Sequence, residues 1–122
     1  MMNNSLCMIS IKVQDIEKAK QFYCETLNFK VERAYGDEIV ELNLDGFPLI
    51  LEKVPNPNTL VYEENSQVVI GLKTEDIQSD ILYLTEKGAK LLYHTPQECP
   101  PGHFTVIEDP FGNKIELLEF AE

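Results

Sequence analysis

The sequence has no tryptophan, two histidines, three cysteines, and ten lysine and arginine residues against 21 aspartate and glutamate. Each shortage excludes something. A formal charge of −11 repels phosphate backbones, so nucleic acid is not an expected partner. The same charge favours cationic small molecules and keeps a chain in solution. Cys7, Cys24 and Cys99 form no CxxC pair, and their odd number argues against a fully paired disulfide framework and for a reducing compartment. No stretch approaches the ~20 apolar residues of a membrane span, so no membrane partner is expected. The opening "MMNNSLCMISIKV" has no basic start and only short apolar runs, so no signal peptide is expected. A cytoplasmic location is the expectation. Without tryptophan, stacking on a ligand falls to six Phe and five Tyr.

What is present suits one compact domain. The 122 residues are 43% hydrophobic, enough to bury a core without disulfides. The chain also repeats. Shifted by 61 residues, so that Ile9 falls on Ile70, "ISIKVQDIEKAKQFY" overlays "IGLKTEDIQSDILYL". Lys12 then lands on Lys73, Asp15 on Asp76, Ile16 on Ile77 and Phe22 on Tyr83. Both copies read as an apolar strand, an Asp and a helix. Asp15 and Asp76 suit N-caps, because a short carboxylate accepts from the free N–H groups of the first turn. Ile16, Ala19, Tyr23 and Leu27 then follow at helical steps, as do Ile77, Ile81 and Leu84. Gly88 is placed to end the second helix and Asn28 the first.

Strands follow each helix. "KVERAY" and "EIVELNL" come first, then the turn Asp45–Gly46 and "FPLILEKV", a hairpin signature. Pro55 to Gln67 is polar and reads as a linker. The second half continues with "AKLLYH", a loop from Thr95 to Gly102, "HFTVIE", the turn "DPFGN" and "KIELLEF". Asp-Pro-x-Gly suits a type I turn. Each half is therefore strand–helix–strand–strand–strand. Module 1 spans about 6–54 and module 2 about 67–121, within one domain of 1–122.

Two such units in this length resemble the vicinal oxygen chelate superfamily, which includes glyoxalases, bleomycin-resistance and fosfomycin-resistance proteins, and extradiol dioxygenases. "VQDIEKAKQFYCETLNFKV" (Val13 to Val31) and "EDPFGNKIELLE" (Glu108 to Glu119) carry the resemblance. It implies an α+β fold of two βαβββ modules, forming curved mixed sheets with helices on the convex side and a pocket on the concave side. It also implies a homodimer.

Metal-dependent members of that superfamily set one ligand on each of four strands. The resemblance puts the last at Glu116 and the preceding one of its kind at Glu52, in "LILEKVPN". The two positions that usually carry His fall on Met8 and, through the repeat, Val69. Two carboxylates are kept and both imidazoles are lost. Valine has no donor and a thioether is a weak, soft one, so no metal or other cofactor is expected. A divalent cation such as Mg²⁺ or Ca²⁺ on two carboxylates would need water or substrate as further ligands. The remaining histidines, His94 and His103, read as surface or helix-packed residues.

Strand alternation sorts the remaining residues into two faces, and the resemblance implies which of them line the pocket. Met8, Ile50, Val69, Phe104, Val106 and Leu118 would make apolar walls, with Lys12, Lys73 and Lys114 as basic groups. Lys12 and Lys73 serve either as ligand anchors or as ion-pair partners of the glutamates. Alternation leaves open whether Val40, Leu42 and Leu44 or Glu41 and Asn43 face the pocket. Without a metal, Glu52 and Glu116 would be close like charges, and one could act as a general acid or base. Pro55–Gln67 and Thr95–Gly102 are the segments placed to cover the pocket.

Three functions follow. The first is a metal-free or degenerate-metal small-molecule-binding protein, with a cationic amphipathic ligand favoured by the charge. The second is a divalent-metal-dependent lyase or isomerase of the glyoxalase type using Glu52 and Glu116. The third is a structural or regulatory dimer without catalysis.

Overall fold

The computed structural model describes residue 2 and residues 7–54 and 69–121. The linker expected at Pro55–Gln67 lies outside the described residues. The chain divides into two compact units, Met1–Leu60 and Val61–Glu122.

The first unit runs β1 (Ile9–Val13), α1 (Ile16–Lys20), β2 (Lys30–Tyr35), β3 (Ile39–Leu44) and β4 (Phe47–Lys53). Asp15 caps α1 by accepting from the Lys18 N–H at 3.1 Å. The helix then widens into a π-helical stretch, Gln21–Thr26. There the Leu27 N–H reaches back five residues to the Phe22 carbonyl. Phe22 and Tyr23, though adjacent, are both buried, with rings edge to face at 5.0 Å. Asn28, at φ 64°, ends the helix as its position in the sequence suggests.

The sheet order is β1-β4-β3-β2, with β1 parallel to β4 and the other pairs antiparallel. Asp45 and Gly46 both have positive φ, which a two-residue hairpin turn between right-twisted strands requires. Ile11, Val13, Val40, Leu42, Leu49 and Leu51 are buried on the face that carries α1. The alternative left open by alternation is thereby settled. Val40 and Leu42 point into the core, so Glu41 and Asn43 take the opposite, open face.

The second unit runs β5 (Ile70–Lys73), α2 (Ile77–Glu86), β6 (Lys90–Leu91), β7 (Gln97–Cys99), β8 (Gly102–Glu108) and β9 (Lys114–Phe120). Its order is β5-β9-β8-β6, with β7 also paired to β8. Two expectations change. The strand expected over "AKLLYH" is regular only at Lys90–Leu91. The segment Thr95–Gly102, read as a loop, contains β7, hydrogen-bonded to β8 with Gln97 opposite Phe104. The prolines at 100 and 101 make the tight return after β7, and Gly102 follows at φ 156°.

Helix α2 is fixed at its start by three groups. Asp76 accepts from the Ser79 N–H at 3.2 Å, and Glu119 of β9 accepts from the Ile77 N–H at 2.9 Å. Buried Thr74 accepts from the Asp76 N–H at 3.1 Å and donates its hydroxyl to Asp80. Gly88, at φ 80°, ends the helix. Ile77, Ile81 and Leu84 pack with Leu91, Ile107, Ile115 and Leu117 in the core of this unit. The β8–β9 turn is held by buried Asp109, which accepts from the Phe111 and Asn113 N–H groups, both at 2.8 Å.

Candidate functional site

Each sheet has one face toward its own helix, and the candidate residues on its strands fall on the other face, which within that unit carries no helix among the described residues. In the first unit, Lys12 lies directly opposite Glu52 across β1 and β4, and the two side chains form an ion pair. Lys12 also approaches the Ser10 hydroxyl at 3.4 Å. Both charged groups are more than a third exposed, so the pair contributes under about 1 kcal/mol. Its effect is on chemistry: Glu52 already has a cation. Ile50 is half-buried beside it, and Met8, just before β1, is 45% exposed.

The sequence reading missed a second group on this face. Tyr35 donates its hydroxyl to Glu41 at 3.2 Å, and the Arg33 guanidinium lies over the Tyr35 ring at 5.2 Å. A signal existed. A two-residue turn at Asp45–Gly46 sets Leu44 opposite Phe47 and therefore Glu41 opposite Ile50. Placing Ile50 on the open face forces Glu41 there too.

In the second unit, Glu116 stands in the middle of the sheet. Gly71 is opposite it on β5 and Val106 on β8. Leu118, two residues along, is opposite Phe104, whose ring meets Tyr93 edge to face at 5.8 Å. Val69 precedes β5 and is 38% exposed. Glu116 is half-buried and has no hydrogen bond or ion pair with any described residue. Lys73 points to Glu75 at 3.6 Å, both highly exposed. Lys114, at the end of β9, pairs at 2.7 Å with Glu108 directly opposite, and both side chains are largely buried. Lys90 approaches the other Glu108 oxygen at 2.9 Å. The Lys114 hydrogen bond and then that of Lys90 hold the Glu108 carboxyl below its usual value, against the opposing effect of burial.

The internal repeat gives the four family ligand positions a structural meaning. Ser10 is the counterpart of Gly71 under the 61-residue shift. Gly71 is opposite Glu116, and Ser10 is opposite Ile50. The counterpart of Glu116 in the first unit is therefore Ile50, while Glu52 matches Leu118. The four equivalent positions hold Met8, Ile50, Val69 and Glu116. The first unit thus offers a thioether and an alkyl group at its two positions, with Glu52 two residues beyond Ile50, and the second an alkyl group and one carboxylate. Among the described residues, no three His, Cys, Asp or Glu side chains gather as a metal site would need. His94 and His103 are exposed. Burial raises the Cys24 thiol, with Lys20 pulling the other way, so thiolate chemistry is disfavoured there.

A family model described as the Glyoxalase/Bleomycin resistance protein/Dioxygenase superfamily matches residues 6–117. The chain belongs to that superfamily. Its relatives include a probable lactoylglutathione lyase of Synechocystis, 30% identical over 118 residues, covering 89% of this chain and 90% of the other. Among solved structures, an antibiotic binding protein from Streptomyces sp. CB03234 is 26% identical, covers 99% of both chains and has a TM-score of 0.72. A superfamily member from Alicyclobacillus acidocaldarius is 18% identical, covers 100% of this chain and 96% of the other, and has a TM-score of 0.75. The second likeness concerns the fold alone. Among the described residues, no helix is long and apolar enough to cross a membrane.

Proposed function

We propose that this chain is a small-molecule-binding protein of the superfamily that works without a transition metal. One observation carries the reading. Within the second unit Glu116 stands opposite Gly71 and Val106 with only Val69 at the position that usually carries His, and within the first unit Glu52 is already paired with Lys12. The likeness to the Streptomyces antibiotic binding protein supports it. The open face around Glu116, with Val106, Leu118 and Phe104, combines apolar surface with one carboxylate, as suits an amphipathic cation. A homodimer in the cytoplasm is part of the same proposal, and sedimentation velocity tests the dimer.

The Synechocystis relative favours a second reading, a divalent-metal-dependent lyase or isomerase using Glu52 and Glu116. It would require Glu52 to give up Lys12 and a metal to bind with few protein ligands. Thermal shifts with a panel of small molecules, run with and without a chelator, separate the two. A ligand that raises Tm equally in both conditions is the expected result. Shifts, or lyase activity, that depend on added metal would overturn the proposal.

A further inference from the structure

Lys114 and Glu116 are two residues apart on β9 and project from the same face, within reach of each other. A lysine so placed would ordinarily neutralise its neighbour. Here it does not. Glu108 stands directly across from Lys114, takes its ammonium at 2.7 Å, and is itself steadied by Lys90 at 2.9 Å. Both members of the central pair are about nine-tenths buried, with exposures of 11% and 14%, so the lysine is committed. Glu116 is left without a partner among the described residues, between a glycine and a valine. A half-buried carboxylate without a cation can take an incoming one without first breaking an existing pair.

The surroundings specify more than charge. A side-chain carbon at Gly71 would meet Leu118 Cδ1 at 3.4 Å, so glycine keeps the space next to Glu116 open. The edge-to-face pair Tyr93 and Phe104 borders the same face and offers π surface. We propose that Glu116 anchors the charged end of an organic monocation with a flat apolar body, and that Glu108 is a positioning residue that keeps the anchor free by holding Lys114. This rests on the small-molecule-binding reading and gives it a ligand class.

The test uses three matched probes, benzamidine, benzamide and benzoate, titrated into the full chain and followed by two-dimensional NMR of the Val106 and Leu118 methyl groups. Benzamidine is expected to bind most tightly, and Glu116→Gln to weaken it about tenfold, the loss of one charge-assisted contact. Glu108→Gln is expected to weaken it as well, because Lys114 is released toward Glu116. Adding Lys114→Gln to Glu108→Gln removes the competitor and restores affinity to within about twofold. A purely structural role for Glu108 would show no such rescue, and its absence overturns the positioning role. Benzamide or benzoate binding as tightly as benzamidine, or benzamidine indifferent to Glu116→Gln, overturns the charge anchor and leaves small-molecule binding intact. If none of the three moves these methyl groups, the monocation site is wrong, and the thermal-shift panel decides the broader reading separately.

Discussion

Glu108 joins stability to function at the scale of single residues. Its folded pKa lies below its unfolded one, so its pairing stabilises the fold fully above the unfolded value, ordinarily 4.5. The contribution is lost as pH falls through the lower folded value. Glu108→Gln should therefore destabilise by about 1–3 kcal/mol at pH 7, toward the lower end where Lys114 finds Glu116 instead. The gap between variant and parent should close as the medium is acidified below pH 4.5. Lys90, 73% exposed, should cost less than about 1 kcal/mol as Lys90→Ala. Urea denaturation at two pH values checks all three. Alternation put Lys114 on the same side of β9 as Glu116, opposite the buried Ile115 and Leu117. It did not reveal the partner, because the opposite strand's register depends on the whole "DPFGN" turn. Glu52 shows the same limit. Alternation put it on the open face, but only the parallel register with β1 shows that it answers Leu118 rather than Glu116.

Among the elements, the helices were the most legible. Asp15 and Asp76 cap as their chemistry dictates, and Asn28 and Gly88 end the helices at positive φ. Asp76→Ala should cost about 1 kcal/mol, although Glu119 and Thr74 still hold the first turn. The hairpin was legible because Asp-Gly permits only a narrow set of turns. The π-helical stretch and β7 were not. The first depends on burying two adjacent aromatics, and the second on a pairing made possible by the return through Gly102. A side-chain carbon at Gly102 would lie 2.1 Å from the Glu119 carbonyl oxygen, so Gly102→Ala should destabilise by about 2–3 kcal/mol. Gly71→Ala meets only ordinary contact and should stay within about 1 kcal/mol, yet weaken benzamidine binding by filling the space beside Glu116. Denaturation midpoints for the two glycine variants give the comparison.

Over the whole molecule, the internal repeat made the fold readable. A shift of half the chain length exposed two copies of one supersecondary unit, and each has the strand order that copy implies. Function was less legible, since it depends on which side chains the register sets opposite one another. Charge acts globally as well. With a formal charge of −11, added salt should raise Tm by a few degrees while it weakens binding of a cationic probe. The most direct measurement is calorimetric titration of the metal-stripped protein with Ni²⁺, Zn²⁺, Mn²⁺ and Mg²⁺, with elemental analysis of the protein as purified. No stoichiometric binding is expected, because Met8, Ile50 and Val69 supply no hard donors. Tight, one-to-one binding that disappears in Glu116→Gln would contradict the metal-free proposal and point to the metal-dependent lyase or isomerase.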